Sequence, residues 1–126
     1  MIYGIGTDIV ESSRIAQSLE KYGERFARRL LAEHEWSDYI KDAKPAMFLA
    51  KRFAAKEALS KAMGTGLRSP VTLSNITVAH TSLGKPYFMF HPELAELIKR
   101  EGIVNHHLSL SDELHLASAF VILEMA

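Results

Sequence analysis

The stretch that most constrains this chain is FLAKRFAAKEALSKAMGTG, residues 48–66, because its helical reading leaves little of its surface fit for open water. Side chains set about every 100° around a helix place Phe48, Ala55, Leu59 and Ala62 on one apolar stripe. Glu57 points almost directly away from that stripe, yet its neighbours there are Ala50, Phe53, Ala54 and Lys61. Burying an unpaired carboxylate is costly, so Glu57 needs a partner. Lys61, one turn later, is the first candidate. A helix apolar on two sides must be covered twice. A hairpin or the N-terminal strand of the same chain is the simpler second cover, and a neighbouring subunit is the other.

The flanking segments are short and regular. Ile2 to Val10 reads as a strand in which Ile2, Gly4, Gly6, Asp8 and Val10 share a face. Two glycines beside an acid leave room for something to approach the backbone closely. Residues 13–22 have helical period through Ile15, Leu19 and Tyr22, and after Gly23 a second piece runs through Phe26 and Leu30. Arg14, Lys21, Arg25 and Arg28 form one basic stripe if the two pieces are collinear, and a solvated face is the bland reading of it. A further helix is expected over about 33–40. Pro45 opens the long helix and Gly64 caps it.

From Val71 the texture changes. TLSNITVAH and KPYFMFH read as strands joined by a turn at Ser82-Leu83-Gly84, and Pro92 opens a short helix that Gly102 ends. HHLSL and LASAFVILE then read as strands around a turn at Ser111-Asp112-Glu113. The last strand is apolar on both faces, which predicts a central, doubly covered position. Helices early, strands late and short hairpin turns predict an α+β fold, a single domain over residues 1–126 with a largely antiparallel sheet and packed helices.

Composition narrows the chemistry. Fifteen Lys and Arg balance fifteen Asp and Glu, so no global field points to nucleic acid. There are no cysteines, which excludes disulfides and thiolate metal sites. MIYGIGTDIVE has no basic n-region and meets Asp8, and no apolar run approaches the ~18 residues of a membrane span. A cytoplasmic location without a membrane partner is therefore expected. G-x-S-x-G, the P-loop, H-E-x-x-H and G-x-G-x-x-G are all absent. His106 and His107 face opposite ways in a strand, and neither has a metal-ligand partner at helical spacing, so zinc is not expected.

What remains is carboxylate chemistry beside phosphate chemistry. Asp8 at a strand end and Glu57 on a helix suit magnesium, which is held by one or two carboxylates plus substrate phosphates. Lys61 either pairs with Glu57 or reaches a phosphate. Gly64-Thr65-Gly66 offers backbone N–H groups of the kind that bind anions.

MIYGIGTDIVE ahead of an Arg14 helix, then FLAKRFAAKEALSKAMGTG, LGKP and HHLSLSDE, together resemble the bacterial holo-[acyl-carrier-protein] synthase family, the short trimeric 4'-phosphopantetheinyl transferases. The resemblance runs along essentially the whole chain, and G-x-D combined with F-x-x-K-E-x-x-x-K-A-x-G-T-G carries it. It implies that Asp8 and Glu57 are magnesium ligands, with the diphosphate of coenzyme A completing the shell and Lys61 on that diphosphate. It implies transfer of 4'-phosphopantetheine from coenzyme A to a serine of apo acyl carrier protein, with adenosine 3',5'-bisphosphate leaving. By the same resemblance Gly64, Thr65, Gly66, the Gly84-Lys85-Pro86 turn and His107 fall near the nucleotide, and Arg52 meets its 3'-phosphate.

Arg14, with Lys21 and Arg25, is placed at the surface that docks the acidic carrier. A homotrimer with sites at subunit junctions is implied too, which turns the second face of the long helix toward a neighbouring subunit. The base that takes the serine proton is left open. A non-catalytic module binding coenzyme A or acyl carrier protein has no need of Asp8, Glu57 and Lys61 together, so their joint presence favours the enzyme. A magnesium-dependent pyrophosphatase needs more acids clustered at helical spacing than this chain has.

Overall fold

A computed structural model describes residues 1–126. Strand β1 (Ile2–Glu11) runs straight into α1 (Ser12–Tyr22), and α2 (Glu24–Leu30) follows. Gly23 lies between them at φ 63°, a left-handed backbone that bends the two helices apart. A 3-10 turn at Glu33–Glu35 leads into α3 (Trp36–Lys41), and α4 spans Pro45–Met63. Pro45 starts α4 where no N–H is needed, and Gly64 at φ 77° ends it by donating to Lys61 O. Then come β2 (Ile76–His80), β3 (Pro86–Phe90), α5 (Pro92–Arg100), β4 (Ile103–Glu113) and β5 (Leu116–Met125).

The α+β class with antiparallel pairing is present, but as two sheets: β1-β5-β4 and the separate hairpin β2-β3. β5 is central, as its composition predicts. The last turn sits elsewhere than the sequence suggests. β4 continues through Ser111-Asp112-Glu113, and Leu114-His115 make the turn, with Leu114 at φ 48°. Asp112 stays in the strand because β5 supplies its ladder partner at Ala117 and Lys51 of α4 lies 3.6 Å from its carboxylate. Tertiary pairing there overrides the turn propensity of Ser and Asp.

Helix α4 lies across one face of the three-stranded sheet and is buried nearly all round. Leu49, Ala50, Ala54, Ala55, Ala58 and Leu59 have no accessible surface. Its need for two covers is met by its own chain, because β1, β5 and α1 enclose it and α2, α3 and β2 close the remainder. The expectation that a neighbouring subunit covers Ala50 and Ala54 is thereby corrected. What approaches Gly4 and Gly6 so closely is the backbone of α4 itself.

One charged cluster sits inside this core. Lys56 donates from Nζ to Leu30 O at 2.8 Å, Leu73 O at 2.9 Å and Glu35 Oε1 at 2.6 Å, which satisfies all three ammonium protons. Burial pulls the Lys56 pKa down to about 8 against the opposing pull of Glu35. Glu35 also accepts from the N–H groups of Ala32 and Val78, so the pair ties the α2–α3 junction, α4 and β2 together. Arg52 joins them, only 4% exposed. Its Nε lies 3.1 Å from Glu35 Oε2 at an angle that forms no hydrogen bond, and its guanidinium stacks on Phe48. In the single chain the Arg52 charge faces Glu35 in the interior, and its expected role at a nucleotide 3'-phosphate stays an expectation.

Candidate active site

Gly4, Gly6, Asp8 and Val10 occupy the inner face of β1, and the period-2 alternation of the strand puts Asp8 where β1 passes α4. Lys61 Nζ lies 3.1 Å from Asp8 Oδ1 and donates to Thr7 O at 2.9 Å. The Asp8 side chain is 17% exposed. Glu57 stands one helical turn before Lys61 and lines the same cleft as Asp8. Burial pushes the Glu57 carboxyl up from its ordinary value, the Asp8 carboxylate pushes it further, and Lys61 opposes both. Lys61 therefore pairs with Asp8 by contact while also stabilising ionised Glu57.

The two carboxylates form one end of a cleft of about 490 Å³, a size that admits a small-molecule arm. Arg14, Ile15, Phe26 and Phe53 line its walls. Ser18 and Phe26 are shared with an adjoining groove that carries Lys21, Tyr22, Arg25 and Arg29. Acid pair, apolar wall and basic groove thus follow one another along a continuous surface. Glu11 also lines the cleft, but no three His, Asp or Glu side chains group closely enough to hold a metal ion between them.

Some residues expected at the site lie elsewhere. Arg28 leaves the basic stripe: it pairs with Glu24 at 3.3 Å and stacks over Trp36. The bend at Gly23 resets the helical phase, so Arg29, at i+4 from Arg25, lines the groove in its place. That i+4 spacing within α2 is the signal by which the sequence shows Arg29. Gly64-Thr65-Gly66 is exposed just past α4, but the N–H groups of Gly64 and Gly66 donate to Lys61 O and Ser60 O. Those two donors cap the helix, and of the expected cradle only the Thr65 N–H is without a backbone partner. Gly84, Lys85 and Pro86 form the β2–β3 turn, where Thr81 accepts from the N–H of Gly84 and of Lys85, and they do not border the cleft.

The two histidines separate as strand alternation requires. His107 lies in register with Ile122 and Ile5, on the outer face of the sheet away from Asp8, with Nε2 2.5 Å from Glu124 Oε1. A single chain therefore does not bring His107 to the carboxylates. His106 faces inward between the rings of Phe88 and Phe90, and its Nε2 accepts from Phe88 N–H at 3.0 Å. Burial, and then the charge of His107, lower its pKa.

With this geometry in view, a family model described as the 4'-phosphopantetheinyl transferase superfamily matches residues 4–117. The chain belongs to that superfamily. A holo-[acyl-carrier-protein] synthase of Nitrosospira multiformis is 72% identical over 124 residues, covering 98% of this chain and 99% of that protein. The crystal structure of a holo-[acyl-carrier-protein] synthase from Neisseria meningitidis shares the fold at a TM-score of 0.96 and 48% identity, over 98% of this chain and 99% of that one. A holo-(acyl-carrier-protein) synthase from Bacillus anthracis, solved in complex with CoA (3',5'-ADP), matches at TM-score 0.83 and 38% identity over 100% and 99% of the two chains. The transferase fold is therefore shared along the whole length, from the β1 glycines to the last strand.

Proposed function

We propose that this chain is a holo-[acyl-carrier-protein] synthase: it transfers the 4'-phosphopantetheine group from coenzyme A to a serine of apo acyl carrier protein, releasing adenosine 3',5'-bisphosphate. The observation that carries the reading is the placement of Asp8, Glu57 and Lys61 at the head of a cleft whose wall continues into the Arg14, Lys21, Arg25 groove. Asp8 and Glu57 line the same cleft, and the charge of Asp8 helps raise the Glu57 pKa, so a cation between them stabilises both carboxylates. Their oxygen donors fit magnesium, which takes one or two protein carboxylates and leaves room for phosphate and water. When bound, magnesium supplies Lewis-acid neutralisation of the charge that builds on the departing phosphate.

The protein's own groups do the positioning. Asp8 and Glu57 would hold the cation, and Lys61 would offset charge on the diphosphate. The serine hydroxyl gives up its proton to a base as its oxygen forms a bond to the pantetheine-side phosphorus, the bond from that phosphorus to the bridging oxygen breaks, and the bridging oxygen leaves with the adenosine bisphosphate. Positioning and charge neutralisation supply most of the rate in such transfers. Ile15, Phe26 and Phe53 shield the cleft from water on one side. Arg14, Lys21 and Arg25 present positive charge to an acidic carrier.

The same reading makes the protein a homotrimer in the cytoplasm, working in fatty acid biosynthesis. An uncovered apolar face with Ile5, Ile9 and Phe120 supports assembly. No helix is long and apolar enough to cross a membrane. Mass spectrometry of apo carrier protein incubated with this chain, coenzyme A and magnesium tests the activity. A phosphopantetheine mass gain that disappears with EDTA is expected. Carrier that stays at its apo mass overturns the proposal and leaves a binding module.

A further inference from the structure

Gly6 sits under α4 in a way that no other inner-face strand residue does, Gly4 excepted. A Cβ built at Gly6 falls 1.9 Å from Ala58 O and 2.8 Å from Ala62 N. One at Gly4 falls 2.0 Å from Ala62 O. These are backbone atoms of the helix, at the residues that directly follow Glu57 and Lys61, and they have no rotamer by which to give way. Neither glycine has a positive φ, so the conformation of β1 does not call for glycine at either position. Glycine in a strand is destabilising relative to alanine, because it loses more backbone freedom on folding. Close packing across the sheet as a whole does not explain it either, because β5 places Val121 and Leu123 in register with Gly6 and Gly4. The helix crosses directly over β1, and only there is every side-chain atom excluded.

We propose that Gly6 is a positioning residue: by letting β1 seat on the bare backbone of α4, it sets the gap across which Asp8 and Glu57 share one cation. The inference rests on the magnesium reading above. Asp8 follows Gly6 by two residues on the same strand face, and Glu57 precedes Ala58 by one, so the contact and the acid pair belong to one rigid junction. Lys61 spans it, reaching Thr7 O and Asp8 Oδ1 from the helix side. A methyl group at residue 6 forces strand and helix apart by on the order of 1 Å, a displacement that costs preorganised sites up to about 100-fold.

The test compares wild type, Gly6→Ala and Gly4→Ala, each checked for fold by circular dichroism and for solution mass. Manganese binding followed by electron paramagnetic resonance, without carrier or coenzyme A, is the primary readout, and the magnesium activation constant is the second. Gly6→Ala should bind manganese at least tenfold more weakly, and Gly4→Ala less severely, since its methyl meets the helix farther from Asp8. Adding Asp8→Glu to Gly6→Ala, one methylene longer, should recover part of the affinity, which a merely structural defect does not allow. A folded Gly6→Ala that binds manganese like wild type overturns the inference. If Gly6→Ala does not fold, Gly4→Ala decides, and unchanged affinity there overturns it as well. A wild-type chain that binds no manganese removes the metal reading itself and the inference with it.

Discussion

The two faces of the β1-β5-β4 sheet come from the same three strands and are built to different ends. The inner face is small and sealed: Gly6 on β1 and Ala117, Ala119 and Val121 on β5 are buried against α4, and Gly4 beside them is half-buried. The outer face carries Ile5, Ile9 and Phe120 into the open, with Ile9 68% and Phe120 41% exposed. Side chains of period 2 make both faces from one sequence, so neither changes without its alternating neighbours. The inner face is completed by its own helix and carries the acid pair at its edge. The outer face lacks a partner within the chain, which is the condition under which a large apolar patch marks an interaction surface.

The contrast breaks most sharply at the inner edge. Asp8→Ala and Glu57→Ala should each lower the transfer rate by roughly 10²–10³-fold or more while leaving the dichroism spectrum unchanged, because each removes cation-holding charge rather than core volume. Wild-type turnover by either variant in EDTA-treated buffer contradicts the site. Next in size is a pair of substitutions, one on each side of the sheet. Leu59→Ala, under the inner face, should cost about 2–5 kcal/mol in denaturant unfolding. Ile9→Glu, on the outer face, should keep the spectrum of the folded chain while light scattering falls from several chains to one. An unchanged mass shows that the outer face is merely solvated.

A smaller effect is expected where the cleft wall turns basic. Arg14→Glu should raise the carrier KM by about tenfold and leave the coenzyme A KM nearly unchanged, since like charges across an interface repel. Raising salt should move the carrier KM the same way in the wild type, because exposed charges are screened beyond about 8 Å at physiological ionic strength. A carrier KM indifferent to both removes the docking surface.

The smallest effect separates the adjacent histidines. His106, inside, has its pKa lowered below the ordinary 6.5 and accepts from Phe88 N–H only when neutral. The unfolded chain then binds the proton more readily, so stability is full above pH 6.5 and falls as acid titrates through the lower folded value. His106→Gln should flatten that acid slope in thermal melts. An equal slope in the variant assigns the acid lability to other groups.

Much of this architecture is legible in residue order. Pro45 and Gly64 bracket α4 and Gly23 parts α1 from α2, because their chemistry acts over one or two neighbours. The Asp8, Glu57 and Lys61 triplet is legible for another reason: acids amid small residues have few other uses. The Ser111-Asp112-Glu113 stretch misleads, since local turn propensity is outweighed by a ladder formed with β5. The Arg52–Glu35 pair is not legible at all: nothing within a few residues shows that Glu35 waits for Arg52, and the two meet only when the α2–α3 junction folds against α4.

Periodicity by itself determined which residues share a face: Gly4, Gly6 and Asp8 together, His106 apart from His107, Phe48 and Leu59 opposite Glu57. Only tertiary structure decided what lies on each face. It laid α4 over β1 closely enough to bring Asp8 to Lys61, enclosed Ala50 and Ala54 within their own chain, and left Ile5, Ile9 and Phe120 uncovered. The physical reason is one of range. Backbone geometry repeats every two or 3.6 residues and is written locally, whereas the cover of a face is contributed by segments up to a hundred residues away, chosen by the burial they complete together.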